Sequence, residues 1–467
     1  MAADSNLLLD GIQAEPFLLY RYRLSNGLRI WYQPRPDSTS VTVLLSVDVG
    51  SRDETRENNG ISHLLEHLLF TGSKRWNEEQ LKEFIPELGG NWNGMTDMER
   101  TLYYAQVAPQ DFTAALDWLV ELVFRPRFDP AVFDKELNVV FQEKSGAQGA
   151  LVAALNKLGL GYDLDGSVRA ALFEDPAIHF PVIGQDETLA ALTNADVLHH
   201  YATYYRPDNM TLIVVGNVQP DLLKTAVLGQ LGGLAANTNS LPRRSPLVSA
   251  NTGPYEIAVR GPTLSDQVRV MMGFLAVGRL HPDYWRLEVL TELLTNRLTD
   301  VLRYQQGLVY RLGAYQVAFN DGGYLVIATT AARADAAGAT AQIDSELQML
   351  ASHGVETQEL EHAKRALIGR LALFLDDNFN RAQWLAEWAS VLPDDQLVPD
   401  FRRDLGAVTA EEVVEALQHY SVPKHRYTAQ HIPFVTVADF PAQACAVVLG
   451  LALVLIAGRL RRQQRKQ

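Results

Sequence analysis

The chain has 467 residues, of which 47% are hydrophobic and 21% are charged, a composition typical of folded proteins. Because single hydrophobic cores rarely grow beyond about 250–300 residues, this length predicts two or more domains. The net charge of −14 argues against general nucleic-acid binding, which requires a basic surface. The single cysteine, Cys445, excludes an intrachain disulfide and a thiolate zinc site, so histidine and carboxylate side chains must bind any metal.

The first half of the chain predicts strands, then a short histidine-containing helix, then further strands and helices. The Asn26-Gly27 pair predicts a hairpin turn, and the alternating β-branched residues over 41–49 predict another strand. A polar loop over 50–60 leads into the short helix. Later elements are strand character over 91–107, helices over roughly 109–123 and 130–145, and a buried strand over 210–216.

The short helix carries the sequence His63-x-x-Glu66-His67. Positions i and i+4 of a helix lie on one face, so the two imidazoles can converge on one ion. Two neutral histidines beside a carboxylate are what a catalytic zinc site needs, provided that a third protein ligand comes from elsewhere. A later predicted helix offers Glu136 and Glu143, two turns apart on one face. Either carboxylate could complete the site, with the other orienting a histidine.

The second half of the chain repeats the pattern of the first. A stretch rich in Asn, Ser, Thr and Pro over 237–254 predicts a linker, and two strands and a long helix are predicted after it. When the two halves are superposed without gaps, Thr291 and Thr295 fall at the positions of His63 and His67. The sequence therefore predicts a duplicated fold whose second copy lacks the metal ligands, with two unrelated α+β domains as the alternative.

The apolar, uncharged run over 442–458 predicts a transmembrane helix, and five cationic residues follow it. A basic cluster directly after an apolar run suits lipid headgroups, whereas the alternative is a buried terminal helix. Because no export signal is recognisable at the N-terminus, we expect the body to lie on the cytoplasmic side of a membrane. The positive-inside rule favours the alternative, a periplasmic or other extracytoplasmic body.

Several separate stretches resemble the M16 peptidases, the family of pitrilysin, insulin-degrading enzyme and mitochondrial processing peptidase. The order His-x-x-Glu-His is that of the inverzincins, inverted relative to ordinary zincins. The other matching stretches, in the order of the family, are Leu24-Ser25-Asn26-Gly27-Leu28, Phe70-Thr71-Gly72-Ser73, Gly89-Gly90-Asn91-Trp92-Asn93, Thr101-Leu102-Tyr103-Tyr104 and Tyr205-Arg206-Pro207-Asp208-Asn209-Met210. The resemblance extends over roughly residues 24–438.

The resemblance implies an α+β protein with two similar consecutive domains. Each domain is expected to be a mainly antiparallel sheet packed with helices, and the two are expected to form a clam-like chamber, followed by the transmembrane helix. The expected limits are 1–236 for the catalytic zinc-binding domain, 237–254 for the linker, 255–440 for the homologous domain without metal ligands, and 441–467 for the membrane tail with its basic end.

The resemblance also implies roles for the residues of the zinc site. His63, His67 and Glu143 are expected to bind one zinc ion per chain, because these positions match the ligands of the family. Glu66 matches the general base that acts on the zinc-bound water, and Glu136 matches the carboxylate that supports the ligands. These assignments agree with the residue types, since zinc activates water and an adjacent carboxylate can take its proton.

Substrate contacts are implied in both halves. Asn93 lies on the strand that binds substrate by β-addition in the family, although Gly94 stands where the family commonly has alanine. Arg303 and Tyr310 resemble the Arg/Tyr pair that contacts substrate near the scissile bond, where a tyrosine can donate to the developing oxyanion.

The function implied by the resemblance is a zinc metalloendopeptidase that acts on short or unfolded peptides. Because one chain carries both the zinc motif and the Arg/Tyr pair, we expect a homodimer, with a paired M16-like subunit as the alternative. The competing hypothesis is a non-catalytic scaffold or regulatory subunit at a membrane, as in family members that have lost activity. The intact residues His63, Glu66, His67 and Glu143 argue against that hypothesis.

Overall fold

Two β-sheets organise the computed structural model, which describes residues 7–13, 18–146, 163–237, 239–250 and 252–435. The first sheet has seven strands, the second has five, and helices pack against both. This is a two-domain α+β architecture. The limits expected for each domain, at 236 and 255, stay predictions.

The first sheet contains β1 (Leu7–Gln13), β2 (Leu19–Leu24), β3 (Arg29–Pro34), β4 (Val41–Val47), β5 (Asn91–Thr96), β6 (Thr101–Val107) and β7 (Met210–Gly216). Their spatial order is β1-β2-β3-β7-β4-β6-β5, and only the β3–β7 pair is parallel. The predicted hairpin at Asn26-Gly27 joins β2 to β3, with Gly27 at a φ of 94°. The strand character over 91–107 resolves into two strands, because Asp97 Oδ1 accepts the backbone N–H groups of Glu99 and Arg100 and turns the chain. This hairpin leaves β5 at the edge of the sheet.

The helices of the first half are α1 (Ile61–Leu69), α2 (Glu78–Glu87), α3 (Phe112–Phe124), α4 (Pro130–Gly146), α5 (Leu164–Leu172), α6 (Asp186–Ala191), α7 (Asn194–Tyr204) and α8 (Pro220–Leu231). Four leucines of α1 are buried in the core of this half, together with residues of α3 and the sheet. Since one stripe of α1 faces the core, the other stripe, with His63 and His67, is left partly exposed.

The second sheet contains β8 (Tyr255–Leu264), β9 (Gln267–Ala276), β10 (Val309–Ala318), β11 (Gly323–Ala332) and β12 (Arg426–Val435), in the order β10-β11-β9-β12-β8. The helices of this half are α9 (Tyr284–Leu298), α10 (Ala336–His353), α11 (Thr357–Phe374), α12 (Asn378–Ala389), α13 (Phe401–Ala407) and α14 (Ala410–Tyr420). Thr291 and Thr295 lie on α9, and Thr295 Oγ1 accepts the backbone N–H of Ala314 at 2.8 Å.

One helix of the second half packs against the first sheet. Helix α12 contacts β4 and β7, and Leu44 shares an apolar cluster with Leu385 of α12. Arg29 Nη1 donates to the carbonyl of Ala389 at 2.6 Å, and Asn378 Nδ2 donates to the carbonyl of Ser40 at 3.0 Å. The two halves therefore share a core, and the second half supports the sheet that carries α1 and β5.

The structure corrects the prediction of a C-terminal transmembrane helix. Within the described ranges, no helix combines the length and the apolar character that crossing a bilayer requires. The predicted span over 442–458 lies outside the described residues. Its length was marginal from the outset, because 17 helical residues reach about 25 Å across a hydrocarbon core of about 30 Å. The prediction of membrane anchoring, with the body on the cytoplasmic side, is corrected by the same finding.

Candidate active site

Helix α1 is held at its N-terminus by a buried carboxylate from the preceding loop. Glu54 accepts the backbone N–H groups of Gly60 at 2.8 Å and Ser62 at 2.9 Å, and the side-chain amide of Asn59 at 2.9 Å. These bonds satisfy donors that a helix start leaves without partners, and they place a negative group at the positive end of the helix dipole. Burial raises the pKa of Glu54 to about 7, although the three donors oppose the shift. The start of α1 is thereby fixed.

The two histidines of α1 and a glutamate of α4 converge. The ring centroids of His63 and His67 are 4.7 Å apart. Glu143 Oε2 lies 3.7 Å from His63 Nε2 and 3.3 Å from His67 Nε2. Two ligands that bind a tetrahedral zinc ion at about 2.0–2.2 Å are about 3.3–3.6 Å apart, so these separations are close to those of ligands that share one ion. Over the described residues, this is the one group of three histidine, cysteine or acidic side chains close enough to share a metal.

Glu136 lies on α4 two turns before Glu143. It faces the Nδ1 atom of His67, whereas Glu143 faces the Nε2 atom of the same ring. Glu136 Oε2 is 3.8 Å from His67 Nδ1, and its Oε1 is 3.3 Å from Lys135 Nζ. Burial alone would raise the pKa of Glu136, but the contacts with His67 and Lys135 outweigh it and lower the pKa. Glu136 is therefore ionised near neutral pH, as a carboxylate that orients a metal-binding histidine should be.

The electrostatics of the two histidines differ. Burial and the neighbouring His67 lower the pKa of His63 to about 4, so its imidazole is neutral at pH 7. Burial also acts to lower the pKa of His67, but contact with Glu136 and the charges of Glu66 and Glu143 outweigh it and raise the pKa. Surroundings that favour positive charge at His67 would likewise stabilise a bound divalent cation.

Glu66 is buried beside the histidines and is positioned by strand β5. Thr96 Oγ1 donates to Glu66 Oε2 at 2.6 Å. A Cβ atom at Gly94 would lie 2.8 Å from Glu66 Oε1 and 2.8 Å from Phe70 Cε2, so glycine at this position leaves room for the carboxylate. Burial raises the pKa of Glu66, and the hydrogen bond from Thr96 opposes the shift.

The cluster opens into a cleft of about 650 Å³. Strand β5 lines the cleft, and Asn93 lies in it together with the two histidines and the carboxylates of Glu66, Glu136 and Glu143. Phe70 and Trp92 stack at 4.6 Å, forming an aromatic wall. Near the rim, Lys82 and Lys135 both contact the carboxylate of Glu78, at 2.6 and 2.7 Å. The cleft therefore combines an apolar wall, a free strand edge and the cluster of histidines and carboxylates.

The remaining two predicted site residues lie elsewhere. Arg303 and Tyr310 do not line this cleft. Tyr310 is 73% exposed on β10, an edge strand of the second sheet. The guanidinium of Arg303 lies 5.5 Å from the Tyr310 ring centroid, so the two side chains form a pair on the surface. The structure thus brings six of the predicted residues together and leaves this pair apart from them.

Sequence patterns did not identify Thr96 and Glu54 as residues that support the site. Thr96 could have been found by strand alternation, because positions 94 and 96 of β5 share a face. Glu54 gives no comparable signal, since a loop of undetermined shape separates it from the helix that it caps.

Comparisons with known proteins agree with this fold. The family model described as "Insulinase (Peptidase family M16)" matches residues 29–158. The model described as "Peptidase M16 inactive domain" matches residues 191–367, which include Thr291 and Thr295. Together the two matches cover about two thirds of the chain.

Similar proteins extend over nearly the whole chain. An uncharacterized zinc protease of Bacillus subtilis, YmxG, is 28% identical over 401 residues, which are 85% of this chain and 94% of that protein. An uncharacterized zinc protease of Mycobacterium leprae is 29% identical over 435 residues, 91% of this chain and 94% of that protein.

Solved structures share the fold. A protease from Helicobacter pylori superposes with a TM-score of 0.79 at 19% identity, covering 89% of this chain and 100% of that one. The periplasmic protease PqqL from Escherichia coli superposes with a TM-score of 0.73 at 19% identity, covering 90% of this chain but 48% of PqqL. With family-model matches in both halves and zinc-protease relatives along its length, the chain belongs to the M16 peptidase family.

Proposed function

We propose that this protein is a zinc-dependent endopeptidase that hydrolyses short or unfolded peptides. The observation that carries the proposal is the convergence of His63, His67 and Glu143 beside the buried carboxylate of Glu66 in one cleft. A zinc ion held by these three ligands would polarise a peptide carbonyl and make water more acidic. The ligand separations and the neutral state of His63 support the fit of zinc.

Glu66 is the proposed general base. Its Oε2 accepts the hydrogen bond from Thr96, which leaves Oε1 available to take a proton from the attacking water. Burial raises the pKa of the carboxyl, and a carboxylate with a raised pKa is a better base near neutral pH. The Thr96 bond favours the ionised form, which is the form that a base needs before it reacts.

Strand β5 is the proposed peptide-binding edge. It pairs with β6 on one side, and no strand among the described residues pairs with its other side. An extended peptide can add to such an edge through main-chain hydrogen bonds, with limited dependence on sequence. Asn93 lies at the centre of this edge and beside the catalytic cluster, so a bound peptide would run past Glu66.

A second copy of the chain is the proposed source of the Arg303 and Tyr310 contacts. Within one copy, the two residues form an exposed pair that does not line the cleft. The part of PqqL that matches this chain is 48% of PqqL, so one PqqL chain is long enough to hold two such units. We therefore propose a homodimer, in which the pair of one copy faces the cleft of the other; a heterodimer with another M16 subunit is the alternative.

Metal analysis with peptide cleavage tests the proposal. Purified wild type should bind about one zinc ion per chain and cleave a quenched peptide library, and chelation should abolish cleavage until zinc is returned. Glu143→Gln should lose zinc, whereas Glu57→Gln, which changes an exposed carboxylate outside the cleft, should not. A fully zinc-loaded wild type that cleaves no peptide would instead favour the non-catalytic scaffold.

A further inference from the structure

A second cavity, of about 590 Å³, lies in the second half between α9, α11, α12 and α13. None of the residues of the catalytic cleft lines it. Its walls are mainly aromatic and aliphatic, formed by Tyr284, Trp285, Leu367, Leu371, Trp384 and Leu405. The volume and the apolar lining are those of sites that bind small organic molecules.

The cavity is lined by more acidic than basic side chains. Three charged side chains line it: Glu288, Arg370 and Glu387. Arg370 forms an ion pair with Glu292 outside the cavity, and Glu387 accepts a hydrogen bond from Arg279 at 2.7 Å. The carboxyl group of Glu288 has neither a hydrogen bond nor an ion pair with any residue that the structure describes. One carboxyl group therefore faces the cavity without a direct partner among the described residues, and the Arg279 guanidinium acts on it only through its charge.

A half-buried carboxyl group without a direct partner is costly to ionise. Burial raises the pKa of Glu288 to about 7, Arg279 opposes the shift, and the negative charge of Glu387 adds to it. A cation in the cavity would restore the ionised form and recover part of the desolvation cost. The neighbouring aromatic rings of Trp285 and Trp384 can attract the same cation through their faces.

We propose that this cavity is a binding site for a primary amine carried on an apolar body. The ammonium group donates to Glu288, and the apolar body packs between Trp285, Trp384 and the leucines of the wall. Two exposed residues at the rim, Leu373 and Phe374, extend the apolar surface outwards. The site is separate from the proposed peptidase centre and does not depend on it.

Titration of the full chain with 2-phenylethylamine tests this site. Binding should be saturable with one equivalent per chain by calorimetry, and it should change the tryptophan fluorescence. The uncharged analogue 2-phenylethanol should bind about tenfold or more weakly, because it cannot form the charge-assisted hydrogen bond. The absence of saturable amine binding, or equal affinity for the two probes, would overturn the proposal.

Variants test the roles of the Glu288 charge and of the apolar walls separately. Glu288→Gln should lose the preference for the amine, whereas Glu415→Gln, at an exposed carboxylate of α14, should bind both probes like the wild type. Leu371→Trp should fill the cavity and prevent binding of both probes while Glu288 stays in place. A Glu288→Gln protein that keeps the full preference, or a Leu371→Trp protein that binds normally, would contradict this location.

Discussion

The position of the Glu66 carboxylate is decided by two residues of β5. Thr96 holds one oxygen at 2.6 Å, and Gly94 leaves the space in which the other oxygen lies. Neither residue is a metal ligand or a base. Thr96 is a positioning residue, since it acts through Glu66.

Replacement of Thr96 tests this positioning. Thr96→Val keeps the shape and removes the hydroxyl, so kcat should fall by about tenfold, the value of a hydrogen bond to a charged group, with little change in KM. Thr96→Ser should restore most of kcat because it restores the donor. Zinc content should be the same in all three proteins. A valine variant with wild-type kcat would show that the bond does not matter for the reaction.

The proposed metal ligands show which part of the site residue patterns can predict. The i, i+4 spacing was sufficient to predict that His63 and His67 face one point, because helical periodicity alone determines it. The same periodicity placed Glu136 and Glu143 on one face but left open which of them is closer to both histidines. Only the packing of α4 against α1 separates them, with Glu143 near both rings and Glu136 near His67 alone.

At the scale of elements, α1 is held between its capping carboxylate and helix α7. His200 of α7 is buried, and its Nε2 lies 3.2 Å from Ser62 Oγ on α1. Burial and the nearby His199 lower the pKa of His200 to about 3. The folded protein therefore keeps this imidazole neutral over a range in which the unfolded chain binds a proton.

This difference predicts a pH dependence of stability. The folded pKa lies below the unfolded value of 6.5, so the contribution of His200 is complete above pH 6.5 and declines as the pH falls towards 3. Between pH 5.5 and pH 4, where the unfolded imidazole is almost fully protonated and the folded one is not, the wild type should lose about 1.3 kcal/mol per pH unit more than His200→Gln does. Urea unfolding of zinc-free protein at several pH values measures this difference. Parallel pH profiles for the two proteins would contradict the burial of a neutral His200.

Sequence patterns predicted which helices and strands exist better than how these elements pack together. Strand character over 91–107 was recognised, but the turn at Asp97 and the edge position of β5 depend on pairing that no local pattern encodes. The packing of α12 onto β4 and β7 was also not foreseen. Apolar faces show that an element is buried, but they do not show which partner buries it.

At the scale of the whole molecule, the second half stabilises the first through direct contacts. It supplies α12 as a cover for the first sheet, and Asp321 of its β10–β11 turn contacts the buried guanidinium of Arg52 at 2.9 Å. Arg52 also contacts Glu99, which follows β5, at 2.6 Å. The second half thus has a structural role for the first, apart from any metal binding.

The proposed dimer can be tested by mixing two inactive chains. Tyr310→Phe should lower kcat by about a hundredfold or more, the usual cost of removing an oxyanion donor. If the pair acts in the cleft of the second copy, mixing Tyr310→Phe with Glu66→Gln should restore up to about a quarter of wild-type activity, since half of the dimers are mixed and each has one complete site. Co-purification through an affinity tag on one of the two chains verifies that mixed dimers form. Mixed dimers without restored activity would contradict contribution from the second copy.

The central claim is that His63, His67 and Glu143 hold a zinc ion beside a catalytic Glu66. The most direct measurement is the rate of peptide cleavage by zinc-loaded wild type and zinc-loaded Glu66→Gln, with Glu57→Gln as a matched control. Both variants should retain about one zinc ion per chain. Glu66→Gln should lose cleavage by at least about a hundredfold, the lower range for loss of a general base, while Glu57→Gln stays active. Wild-type rates in a zinc-loaded Glu66→Gln protein would contradict the account.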